Sequence, residues 1–171
     1  MVVSGAANSS SFKVTTPSDR EIQMTRLFDA PRALVFEALT KPEHIREWWG
    51  RLGDGYTVPE CDVDLRPGGA WRFVNQTPKG ERVVFYGEYR EIDAPRRMVF
   101  TEIFEPFPDA VSVVTTILTE EHGKTRVTLT AIYPSLDVRN MVMSTGMERG
   151  AAISYDRLEE VAIRLSQRGT A

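Results

Sequence analysis

Apolar and polar positions begin to alternate at Asp19. Ile22, Met24 and Arg26 fall on one side of an extended chain and Gln23, Thr25 and Leu27 on the other, which predicts a first strand. Asp29-Ala30-Pro31 stops it and starts a helix: Asp29 is the expected N-cap, and Pro31 sits near the first turn, where a missing N–H costs nothing. Val35, Phe36 and Leu39 give this helix one apolar face. Lys41-Pro42-Glu43 breaks it and opens a second short helix ending near Trp48-Trp49-Gly50. Residues 1–17, rich in Ser, Ala and Thr and almost uncharged, read as a poorly anchored leader, with a strand at Phe12–Val14 as an alternative for part of it.

The middle of the chain has the period of β structure. Tyr56–Leu65, Gly69–Gln76, Val83–Ile92, Arg97–Phe104, Ala110–Thr119 and Lys124–Tyr133 are strand candidates, separated by turn chemistry such as Pro67-Gly68-Gly69 and His122-Gly123. The short connections imply an antiparallel meander. In the last of these strands Val127, Leu129, Ala131 and Tyr133 form the expected inward set. From Asp137 to Gln167 the period changes. Val138, Met141, Thr145, Ala152, Tyr155, Leu158, Ala162 and Leu165 recur at spacings of three and four, predicting one continuous helix. At ~1.5 Å per residue that helix is on the order of 45 Å long, enough to cross a whole sheet face. The order is strand, two short helices, six strands, long helix. This predicts an α+β domain over residues 18–168, with a curved antiparallel sheet wrapped around the C-terminal helix. A twisted sheet cannot lie flush along such a helix, so a pocket is expected between them.

Composition narrows the functional classes. The 171 residues are 42% hydrophobic and 26% charged, as in ordinary globular proteins. A net charge of -3 and a pI near 5.5 argue against a general nucleic-acid binder. No apolar run approaches the ~20 residues of a membrane span, and the N-terminus lacks the basic region and apolar core of a signal peptide. The single cysteine, Cys61, excludes an intrachain disulfide and is compatible with a cytoplasmic location. With two histidines beside it, His44 and His122, no zinc site of the usual kind is expected, and no cofactor motif is present.

The candidate chemistry is aromatic. Trp48, Trp49, Trp71, Phe73, Phe85, Tyr89, Phe100 and Phe104 read either as core or as the wall of a pocket for a flat apolar molecule. Trp71 and Phe73 share a strand face, and Phe85 and Tyr89 flank Gly87, a mid-strand glycine that marks a bulge or a close approach. Met141, Met143 and Met147 supply adaptable surface or helix core. Gly150, inside the predicted helix, costs about 1 kcal/mol relative to alanine and requires an offsetting contact or ligand. Glu102 alternates with Phe100 and Phe104. If those rings face inward, so does a carboxyl whose pKa would rise; if Val99, Thr101 and Ile103 are the inward set, Glu102 is solvated. Tyr155 and Arg72 are its candidate partners. His44 reads as a surface helix residue or a pocket-mouth group, His122 as a solvated turn residue, and Cys61 as a small core residue.

Several segments together resemble the START-like, or SRPBCC, superfamily, and within it the branch named for the activator of heat-shock-protein-90 ATPase. They are residues 28–36 (FDAPRALVF), Trp48-Trp49-Gly50, residues 64–73 (DLRPGGAWRF), residues 87–92 (GEYREI), Arg97–Thr101, and Gly150 with residues 155–158 (YDRL). The resemblance spans about Asp19 to Leu165. It implies the helix-grip fold, also called birch-pollen-allergen-like, and a pocket more than a reaction. Many members of the branch carry Gly-Trp early in the last helix. Here Ala151 follows Gly150, implying a larger or differently shaped cavity.

Three functions are then open. The first is non-catalytic binding of a small hydrophobic molecule, lipid- or polyketide-like, by Trp49, Trp71, Phe73, Phe85, Tyr89, Phe100, Glu102, Met143, Met147, Ala151 and Tyr155. The second is a cyclase- or hydrolase-type enzyme in which Glu102 acts as acid or base and Tyr155 or Arg72 orients the substrate. The third is a co-chaperone-like protein-interaction module, which predicts an exposed apolar or charged patch rather than a deep cavity. The binder reading leads. Pairing of the leader with a sheet edge of a second copy leaves a homodimer open.

Overall fold

A computed structural model describes residues 11–169 of the chain. Its elements run β1 (Lys13–Thr15), β2 (Glu21–Phe28), α1 (Arg32–Thr40), α2 (Pro42–Trp48), β3 (Thr57–Val63), β4 (Ala70–Gln76), β5 (Arg82–Asp93), β6 (Arg97–Phe104), β7 (Ser112–Glu121), β8 (Lys124–Ile132), α3 (Leu136–Ser144) and α4 (Met147–Arg168). The eight strands form one antiparallel sheet in the order β1-β2-β8-β7-β6-β5-β4-β3. The fold is helix-grip. Strands β3 to β8 are the expected meander, and β2 extends it by pairing with β8, Ile22 opposite Ala131 and Phe28 opposite Thr125. Of the segment read as a leader, residues 13–15 pair with β2 and the Phe12 ring meets Tyr155 edge-on at 5.8 Å; residues 1–10 lie outside the described residues.

In β2 the inward set is Ile22, Met24, Arg26 and Phe28, all buried. Arg26 is the unusual member, a guanidinium only 1% exposed. It donates to Asp156 Oδ1 at 2.6 Å and Glu159 Oε1 at 3.2 Å, both on α4. The second Glu159 oxygen accepts the backbone N–H of Asp29 at 3.0 Å. A buried charge is tolerated only when its polar atoms find partners of this kind, and here they tie the middle of α4 to the sheet. Asp29 is not the N-cap of α1. That position is Pro31, whose carbonyl accepts from Leu34 and Val35.

The single C-terminal helix expected over 137–167 is two helices. Ser135 caps α3 by accepting the Val138 N–H at 3.2 Å. At the other end Ser144 and Thr145 turn their hydroxyls back onto the carbonyls of Met141 and Val142, at 2.7 and 2.6 Å. Gly146 then adopts φ 77°, a left-handed conformation that stops the helix, and serves as N-cap of α4. The periodicity survives this break because the two segments share a similar phase, which is why spacing alone does not reveal it. None of the residues of α3 is buried. In α4, 22 residues or ~33 Å long, Tyr155, Leu158, Val161 and Ala162 form the buried stripe. The backbone of α4 lies closest to α1 and α2 and stands off the strands, so a gap remains between helix and sheet. No helix of the described residues is long and apolar enough to cross a membrane.

Candidate functional site

That gap is a cavity of about 410 Å³, within the ~300–1,000 Å³ range of small-molecule sites. Its floor is the concave face of the sheet: Ile22 and Met24 of β2, Trp71 and Phe73 of β4, Phe85 and Tyr89 of β5, Met98, Phe100 and Glu102 of β6, and their neighbours on β7 and β8. Its roof is the first half of α4 with Met147, Gly150, Ala151, Ser154 and Tyr155, and its side is Trp48 at the end of α2 with Trp49 and Leu52 beyond it.

The rings form one connected wall. Trp49 meets Phe73 and Phe85 edge-on at 5.3 and 5.6 Å, Trp71 lies 4.8 Å from Phe73 and 5.6 Å from Phe100, and Phe100 reaches Tyr89 at 6.0 Å. Edge-to-face contacts leave ring faces free to meet a guest. Trp71 is fixed by its indole N–H, which donates to the Thr101 carbonyl at 3.1 Å. Gly87 makes this possible: a Cβ there would lie 1.8 Å from the Thr101 oxygen and 2.8 Å from the Trp71 Nε1. At the side of the cavity, Gly50 is held from two directions. Its carbonyl accepts from Asn75 Nδ2 at 2.9 Å and its N–H donates to Ser154 Oγ at 3.2 Å. These bonds tie the Trp48-Trp49-Gly50 turn to β4 and α4.

The strand carrying Glu102 presents Met98, Phe100 and Glu102 to the cavity, and the outer face takes Val99 and Thr101. The solvated reading of Glu102 is therefore corrected: the surface it exposes opens onto the cavity. Burial among apolar groups pushes its carboxyl up to about 7. Neither a hydrogen bond nor an ion pair engages its carboxyl among the described residues. Tyr133 and Tyr155 line the same cavity. Burial raises both phenols first; the charge of Glu102 raises them further, and at Tyr155 the Arg26 guanidinium opposes the rise, so both stay neutral near pH 7.

Of the residues singled out from sequence, Trp49, Trp71, Phe73, Phe85, Tyr89, Phe100, Glu102, Met147, Ala151 and Tyr155 all line this cavity. Met143 does not, because the break at Gly146 puts it on α3, away from the roof. Arg72 does not either. It alternates with Trp71 and Phe73, projects from the outer face of β4 and pairs with Glu60 and Glu105 at 3.4 Å, so it cannot partner Glu102. Sequence reasoning omitted Leu52, Met98, Thr116, Ser154 and Tyr133 from the site. The alternation of β8 already placed Tyr133 inward; Leu52 sits in a loop without periodicity. His44 lies 3.5 Å from Glu37 and lines no part of the cavity. Cys61 is buried in the core, and burial pushes its thiol up to about 11, so it is no nucleophile at neutral pH. Among the described residues no group of three or more His, Cys, Asp or Glu side chains is placed to hold a metal ion.

Comparison with known proteins gives a consistent picture. No curated protein matches the sequence. Among solved structures, protein NE0264 from Nitrosomonas europaea is 25% identical and superposes with a TM-score of 0.76, covering 91% of this chain and 100% of that one. Protein Ms6760 from Mycobacterium smegmatis is 26% identical with a TM-score of 0.75, over 87% of this chain and 96% of that one. A protein from Rhodobacter sphaeroides, at 22% identity, shares the fold with a TM-score of 0.81 over 90% and 99% of the two chains. The family model described as activator of Hsp90 ATPase homolog 1-like protein matches residues 29–162. The chain belongs to that family, within the START-like, or SRPBCC, superfamily.

Proposed function

We propose that this protein binds a small hydrophobic molecule in the cavity between α4 and the sheet. The observation that carries the reading is the cavity itself, about 410 Å³ and walled by six aromatic rings contributed by β4, β5, β6 and the turn after α2. Transfer of an apolar ring from water into such a space is favourable by ~25 cal/mol per Å² buried, and the pre-formed wall keeps the ordering cost low. Commonly, members of this superfamily bind hydrophobic ligands, which agrees with the reading.

The test uses N-phenyl-1-naphthylamine, a neutral apolar fluorophore. The expected result is saturable enhancement of its emission at one molecule per chain. In Ala151→Trp, which puts an indole into the roof, enhancement is expected to be lost while the unfolding temperature is kept. Absence of binding to the wild type, or undiminished binding to the variant, would count against the cavity.

A second reading has one observation in its favour. Glu102, with a carboxyl near neutrality beside Tyr155, is equipped for proton transfer to a bound substrate. Arg72 takes no part, so Tyr155 is left as the orienting group. If turnover is found, Glu102→Gln abolishes it and leaves binding of the neutral fluorophore intact; turnover surviving in that variant removes Glu102 from the role.

A further inference from the structure

The electrostatics of the lining specify more than hydrophobicity. Of the described residues that line the cavity, Glu102 is the one with an acidic side chain, and no lysine, arginine or histidine is among them. The nearest buried cation of the fold, Arg26, is committed to Asp156 and Glu159. A guest bearing a carboxylate, sulfate or phosphate would therefore meet a carboxyl and no cation among the lining residues, between apolar walls that compensate a charge poorly. That disfavours fatty acids and other anionic amphiphiles.

The groups facing Glu102 can be named element by element. From the residue after β8 there is Tyr133, from α4 Tyr155, from β4 and β5 the rings of Trp71, Phe73, Phe85 and Tyr89, and from β7 Ser112, whose hydroxyl donates to the Glu102 backbone carbonyl at 3.1 Å and not to its carboxyl. No charge comes from any of them. The protein thus surrounds one carboxyl with apolar surface and neutral phenols and provides no countercharge. Aromatic faces attract cations through their quadrupoles, and a carboxylate at the end of an aromatic wall adds a hydrogen-bonding anion.

Resting on the binding reading above, we propose that the cavity's ligand class is the lipophilic amine, an aromatic or polycyclic body lying against the rings with a protonated nitrogen donating to the Glu102 carboxylate. Formation of this pair requires the ionised carboxylate. Below pH ~7 binding must expel the proton that burial holds on Glu102, so affinity falls as pH falls through that value and levels off above it.

Three matched probes test this: 1-naphthylmethylamine, 1-naphthylmethanol and 1-naphthoate, each titrated calorimetrically into the full chain. At pH 8 the amine is expected to bind at least tenfold more tightly than the alcohol, and the carboxylate more weakly than either. From pH 8 to pH 6 the amine, protonated at both, loses roughly tenfold in affinity while the alcohol does not. In Glu102→Gln amine and alcohol bind alike and the pH dependence disappears. Equal or tighter binding of the alcohol or the carboxylate by the wild type overturns the amine assignment and leaves the binding reading standing. An amine preference that persists in Glu102→Gln also overturns it. Failure of all three probes to bind overturns both. The wild-type comparison alone decides the matter if the variant does not fold.

Discussion

Glu102 shows how one residue's surroundings set its chemistry, and they make a stability prediction independent of any ligand. Its carboxyl titrates near 7 in the folded protein against 4.5 for the free group. Below pH ~4.5 both folded and unfolded states hold the proton, and the group is neutral in its effect. Between ~4.5 and ~7 the unfolded chain releases the proton and the folded one keeps it, so stability falls as pH rises. Above ~7 the loss is complete, at most about 3 kcal/mol. Glu102→Gln is expected to be more stable than wild type at pH 8 by a few kcal/mol at most, with the difference closing below pH ~4.5. Urea unfolding at the two pH values measures it, and equal stabilities at pH 8 would mean that the carboxyl is solvated. Two glycines give a second residue-scale contrast. Gly50 sits at φ 63° with an added Cβ 2.9 Å from Asn75 Nδ2, so Gly50→Ala is expected to cost about 1–2 kcal/mol. At Gly150 a Cβ would meet only the Leu52 side chain at an ordinary 3.7 Å, and Gly150→Ala is expected to add up to about 1 kcal/mol. Thermal unfolding of the pair should show opposite signs. The helix-interior cost of Gly150 that the sequence raises is thus not offset by protein packing; Gly150 opens the roof.

At the scale of elements, α4 depends on its middle. Its first half roofs a void, so the contacts that hold it to the sheet are concentrated where Arg26 meets Asp156 and Glu159. Glu159→Ala leaves the buried guanidinium short of a partner and is expected to cost about 3–5 kcal/mol, whereas the double change Arg26→Leu with Glu159→Leu should cost less than Glu159→Ala alone. Chemical unfolding of the wild type and the two variants measures this; a double variant that loses as much as Glu159→Ala or more would mean that the two groups do not act as a unit. The sequence made Arg26 legible as an inward position of β2 because alternation is indifferent to charge, but its partners, some 130 residues away, left no local mark. The break at Gly146 escaped for a different reason. Thr145 and Gly146 are helix-ending residues only when the chain around them has a place to turn, and the apolar period runs through them unbroken. Strand ends fell within one or two residues of the turns because Pro and Gly dictate backbone angles locally.

The whole molecule follows from the addition of β2 beside β8: the curved open sheet meets the middle of α4 at Arg26 and Phe28 and leaves a gap under the first half of the helix. Most of the cavity lining was readable because strand alternation assigns a face to each residue once one neighbour's face is known; the face of β6 was the open choice, and the structure resolves it in favour of Phe100 and Glu102. Contributions from loops, Leu52 among them, depend on how the chain folds back in three dimensions and were not readable. An apolar guest entering this space is the function proposed for the fold. The most direct measurement is a proton–nitrogen NMR titration with N-phenyl-1-naphthylamine, following the indole N–H signals of Trp48, Trp49 and Trp71, the three tryptophans of the chain, all of which line the cavity. These signals are expected to shift together and to saturate at one molecule per chain. Saturable binding that leaves all three unmoved, or no binding at all, would contradict it.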